Sequence, residues 1–148
     1  MENKSSLPRY RYLIIGVSLL LLALVYVFQR TNYLNDFLKL VNAGSADAIT
    51  AFAVNKTFRL ILNDVLCIAL IYALFGERKY IRVAFVLFCF ELFIILPLYL
   101  IVKLSLEGSS EISSPLLSQI HRLVVNPMLM LILIAGLYYQ RNREPKQE

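Results

Sequence analysis

Residues 12–28 are apolar throughout, apart from Ser18. A run of that length predicts a membrane-crossing helix, uncleaved because no small-x-small cleavage site follows it. Residues 30–56 are more polar. Within them Tyr33, Leu34, Phe37, Leu38 and Val41 recur at helical spacing, while Asn35, Asp36, Lys39 and Asn42 fall elsewhere on the wheel. This pattern predicts a short amphipathic helix over 33–42, too short and polar to span and suited to the membrane interface. Ala43, Gly44 and Ser45 end it, and Ser45 or Asp47 offers an N-cap for the next helix.

A second span is predicted over 57–75, most apolar from Leu60 and extendable back towards Asp47. The charged run 76–79 reads as a tight turn. A third span over 81–102 is interrupted by Glu91 and Pro97, with a kink expected at the proline. Residues 103–118 read as a loop rich in Ser, Gly and Glu. A fourth span is predicted over 123–139, with Asn126-Pro127 near its start, before a charged tail at 140–148. The expected fold is therefore all-α: one membrane domain over 1–148, a four-helix bundle with an interfacial helix between the first two spans. The halves show no internal repeat, which weighs against an inverted-repeat transporter.

Composition agrees. The chain is 59% hydrophobic and 17% charged, against ~45–50% and ~25% in soluble proteins. Its mean hydropathy is +0.66. The net charge of +5 comes from Lys and Arg beside apolar runs, where they meet lipid headgroups. No basic stripe with interleaved aromatics occurs, so nucleic acid is not an expected partner. With the N-terminus in the cytoplasm, Lys4, Arg9, Arg11, Arg78, Lys79, Arg82, Arg141, Arg143 and Lys146 lie inside. Arg30, Lys39, Lys56, Arg59, Lys103 and Arg122 lie outside, a bias of nine against six. Tyr10, Tyr12, Tyr80, Tyr138 and Tyr139 then form an inner belt, and both termini are expected in the cytoplasm.

Candidate chemistry is confined to the polar residues of the spans. At ~1.5 Å per residue, Asp64 and Glu91 each stand roughly 15 Å above the inner ends of their helices. They are expected to meet near the midplane, facing protein, with at least one keeping its proton because two carboxylates side by side repel. Such a pair serves a proton or cation relay, recognition of a partner, or an interhelical hydrogen bond. Asn55, Arg59 and Asn63, four residues apart, form one polar stripe. Arg59 is expected to snorkel, or to reach Glu91 or an external acid. His121 and Arg122 mark the outer start of the fourth span. Cys67 and Cys89 form no CxxC, have no histidine at metal-ligand spacing, and are not expected to be disulfide-bonded. Cys67 in the inner half is out of hydrogen-bonding reach of His121 at the outer edge, so no activated thiol is expected. Neither a metal nor another cofactor is implied.

Two stretches carry a family resemblance: NKTFRLILND at 55–64, running on into IYALF at 71–75, and RLVVNPMLMLILIAGLYYQ at 122–140. Together they resemble the small exosortase-associated membrane proteins of bacteria, above all the exosortase F system-associated family. The landmarks are Asn55, Arg59, Asn63, Asn126-Pro127 and the Tyr-Tyr-Gln end, and YLNDF at 33–37 is loosely similar to an aromatic, acidic stretch of that family. An amide other than Asn often precedes the proline there, so Asn126 departs from the pattern, and a companion of a sister exosortase such as exosortase X fits equally. Exosortases are multispanning cysteine transpeptidases that process C-terminal sorting helices of exported proteins. The resemblance implies a non-catalytic companion that binds the exosortase or its substrate's sorting helix, with Asn55, Arg59, Asn63, Asp64, Glu91, His121, Arg122 and Asn126 as polar contacts. The competing reading is a small proton- or ion-coupled transporter or channel subunit that uses the two acids.

Overall fold

The computed structural model describes residues 8–29, 31–108 and 114–143. Lys4, Arg30 and Lys146 of the charge bias, and most of the tail, lie outside them. Every regular element among the described residues is helical. Helix α1 covers Arg9–Val27, α2 Tyr33–Leu40, α3 Ala48–Phe75 and α4 Arg78–Phe90. A π turn at Glu91–Ile95 leads into α5, Leu96–Glu107, and α6, Pro115–Val125, precedes α7, Met128–Arg143.

The helix boundaries follow from local chemistry. Asn32 caps α2, its side chain accepting from Asn35 N at 3.3 Å. The helix stops at Leu40 rather than running to residue 42, because Asn42 and Gly44 both take positive φ. Asp47, not Ser45, caps α3 by accepting from Thr50 N at 3.1 Å. Hydrogen bonding from Thr50, by its side chain first and then its backbone N–H, holds the exposed Asp47 carboxyl below its usual pKa. Its support is thus present above the unfolded pKa and is lost as pH falls through the lower folded one.

Gly76 ends α3 with φ 71°. A Cβ there would lie 2.5 Å from the Arg11 guanidinium. Gly76→Ala should therefore cost about 1 kcal/mol, mainly from the left-handed backbone. A thermal melt in detergent checks this, and an unchanged Tm would contradict it.

The third span departs from a simple proline kink. Pro97 has no N–H to give the carbonyl four residues back, and its ring crowds that turn. The chain responds by widening upstream: Leu96 N–H bonds to Glu91 O, five residues away. The same widening sits at the carboxylate that faces inward. Beyond it α5 continues to Glu107, so the loop expected from residue 103 begins later, and α6 already starts at Pro115.

The fourth expected span, 123–139, is corrected to two helices bent by 60° at Asn126-Pro127. Asn126 is extended (φ −100°, ψ 147°), as a residue before proline prefers.

Three helices are long and apolar enough to cross a membrane: Arg9–Val27, Ala48–Phe75 and Arg78–Glu107 taken through the π turn. The bent pair α6 and α7 makes a fourth if it counts as one span. Their outward faces carry large apolar side chains such as Leu20, Val86, Phe93 and Ile101, far more than the isolated patches of a water-soluble surface. The protein is thus compatible with a membrane environment.

Helix α3 is the centre, packing against every other element, whereas α1 rests chiefly on α3. Small residues allow close approach: Ala51, Cys67, Ala73 and Ala84 are buried at its contacts. One apolar cluster gathers Cys67, Ile71, Phe75, Tyr80, Ala84, Met130 and Leu137; a second gathers Leu60, Leu96, Tyr99 and Val124. Arg11 packs on Gly76, and Arg141 Nη1 reaches Leu74 O at 3.3 Å. The start of α1, the end of α3 and the end of α7 therefore share one end of the molecule, where the two arginines complement the α3 C-terminus.

Candidate functional site

The polar stripe of α3 divides into layers. At the top, Asn55 ties α2 to α3. Its Nδ2 donates to Asn32 Oδ1 at 2.6 Å, and its Oδ1 accepts from Leu34 N at 3.0 Å. One turn down, Arg59 Nη2 donates to Asn126 Oδ1 at 2.9 Å and to Gln29 Oε1 at 3.3 Å. A further turn down, Asn63 Nδ2 donates to Val125 O at 3.1 Å. That carbonyl is one of those freed when the helix breaks at Asn126-Pro127, and a broken helix in hydrocarbon needs such substitutes. Stripe and elbow are thus complementary: α3 supplies the donors that the break demands.

Arg59 makes no bond to Glu91 among the described residues: its hydrogen-bond partners are the amide oxygens of Asn126, between α6 and α7, and Gln29, after α1. Asp64 and Glu91 are 1% and 2% exposed. The two side chains are neighbours. Asp64 Oδ2 and Glu91 Oε1 meet no hydrogen-bond donor from elsewhere in the described chain. The tight turn at Gly76 and the widened turn at Glu91 bring them together.

A further polar cluster was missed in the sequence. Lys103 is fully buried, its Nζ 3.0 Å from Glu107 Oε2, and Glu107 Oε1 accepts from Ser114 N at 2.9 Å. Beside it Tyr99 Oη meets His121 Nδ1 at 2.5 Å. Leu96, Tyr99 and Lys103 repeat at helical spacing, a signal that Lys103 continues a buried face instead of opening a loop. Gln29 was missed too, being hidden at the end of an apolar run. Arg122 is exposed; its carbonyl closes α6 by accepting from Asn126 N at 3.1 Å.

No family model, curated protein or solved structure matches this chain. Its chemistry therefore rests on geometry. Among the described residues no group of three His, Cys, Asp or Glu is placed to hold a metal. Cys67 and Cys89 are free thiols, the first buried in the apolar cluster of α3, α4 and α7. His121 belongs to the other cluster region, engaged by Tyr99. Cys67→Ser and Cys89→Ser, singly or together, are accordingly expected to leave in vivo function unchanged. Loss of function at normal protein levels in either variant would point to thiol chemistry instead.

Proposed function

We propose that this chain is a non-catalytic accessory protein of a bacterial exosortase-type sorting system, resident in the inner membrane and binding the sorting enzyme or its substrate's C-terminal helix. The observation that supports this reading is the convergence of its landmarks. Asn55, Arg59, Asn63 and Asn126-Pro127, which carry the resemblance to exosortase-associated proteins, lie far apart in the chain. They form one layered polar seam between α3 and the α6–α7 elbow. In this reading α1, α3, α4–α5 and the bent α6–α7 are four spans, α2 lies in the outer interface, and both termini are cytoplasmic. A lipid-facing helix of the partner packs mainly by van der Waals contact, and polar groups fix its register.

Affinity purification of the full chain from native membranes tests the proposal. Co-recovery of an exosortase, or of a protein ending in a sorting helix, is expected, and recovery of the chain without either counts against it. A reporter active only in the periplasm, fused after residue 148 or within 105–115, tests the orientation. Silence at the terminus and activity in the loop are expected; the reverse would invert the topology.

One observation favours a second reading. Asp64 and Glu91 are both buried among the helices, the kind of arrangement a proton-coupled transporter or channel subunit uses. Proton flux through liposomes holding the chain alone, abolished by Asp64→Asn, would move that reading ahead.

A further inference from the structure

Arg59 is 5% exposed, and its Nε has no hydrogen-bond partner. Its Nη2 meets only the neutral amide oxygens of Gln29 and Asn126. A guanidinium stays charged in a protein, and a buried charge without a counter-ion is strongly unfavourable. The surroundings are arranged for an anion that comes from outside the chain.

Three clefts converge on Arg59. One, of about 750 Å³, opens towards α2, with Asn32, Asn55 and Lys56 on its walls. A second, of about 370 Å³, brings in His121 and Arg122. The third, also about 370 Å³, is an apolar groove between α1 and α7, lined by Leu22, Tyr26, Pro127 and Leu131. No Asp or Glu lines any of the three among the described residues. Cations and amides thus surround the guanidinium, while an apolar channel descends from it.

Depth identifies the anion. At ~1.5 Å per residue Arg59 stands about 24 Å from the Phe75 end of α3. With that end at one boundary of a ~30 Å hydrocarbon core, the guanidinium lies just below the opposite headgroups, within a side chain's reach of their phosphates. A headgroup phosphate in the polar clefts would leave its acyl chain nowhere shorter to run than the groove.

We infer that Arg59 anchors a binding site for one anionic phospholipid of the leaflet at the α2 end, with the headgroup phosphate on Arg59 and an acyl chain in the groove between α1 and α7. The free Nε supplies a charge-assisted bond to a phosphate oxygen. Lys56 and Arg122 add the charge that separates an anionic from a zwitterionic headgroup. This site does not depend on the sorting role.

Native mass spectrometry of the full chain in mild detergent tests it, with phosphatidylglycerol and phosphatidylcholine of the same acyl chains as probes. One phosphatidylglycerol should be retained roughly tenfold or more tightly than phosphatidylcholine. Arg59→Gln should abolish that preference, and Arg82→Gln, at the far end, should keep it. Leu131→Trp fills the half-exposed groove without touching the guanidinium, and it should weaken both lipids even if Arg59→Gln fails to fold. Equal retention of the two lipids by the natural chain, unchanged binding in Leu131→Trp, or full displacement by inorganic phosphate alone would overturn the proposal. The last result would assign the site to a free anion.

Discussion

Lys103→Met should destabilise the protein by roughly 3 kcal/mol, the low end of the range for breaking a buried ion pair. The lysine has no exposed surface, and its Nζ lies 3.0 Å from a Glu107 carboxylate that is itself 10% exposed. Methionine fills similar space, so packing changes little and the loss is electrostatic. Glu107 keeps its bond from Ser114 N but loses the cation. Being near the end of α5, it gains some relief by turning to water, hence the low end. Thermal unfolding in detergent measures the effect, and Lys103→Met combined with Glu107→Gln should recover part of it because both charges of the pair are then removed together. A single variant as stable as the natural chain would show that the pair is replaceable.

Asp64→Leu or Glu91→Leu should weaken helix packing by roughly 0.6–2 kcal/mol, the range for interhelical polar contacts in membranes. Each removes one partner of a pair that meets no other donor at Asp64 Oδ2 or Glu91 Oε1. Asp64→Asn and Glu91→Gln should assemble normally, because an amide donates to the remaining carboxyl without needing a shared proton. The amide variants therefore separate two roles. If they assemble and keep in vivo function, the pair is a latch between α3 and the π turn. If they assemble and lose function, the proton itself matters and the relay reading prevails.

The spans and the acid pair were legible because both depend on periodicity and length. A charge in hydrocarbon must face protein, and rise per residue places Asp64 and Glu91 at equal depth whatever the detailed packing. The π turn at Glu91–Ile95 was not legible: proline announces a disturbance, but whether the helix kinks or widens depends on what the neighbouring carboxylate must reach. The elbow was missed for a related reason. Asn126-Pro127 near a helix start reads as a tolerated first turn, and only the donors at Arg59 and Asn63, over sixty residues earlier, make a full break affordable. Lys103 was lost to its neighbours' composition, since Ser105, Glu107 and Gly108 suggest a loop more strongly than one lysine suggests a buried face.

Because α3 touches every other element while α1 leans chiefly on α3, cohesion in this molecule is shared unequally. Stripping α1 away exposes one side of the hub and leaves the contacts among α4, α5, α6 and α7 standing; stripping α3 removes the element that every other helix packs against. Backbone amide exchange should follow that hierarchy, with α1 opening at a low free energy and α3 only on global unfolding. Helix α1 is then the one most readily exchanged for a foreign helix once the rest has formed.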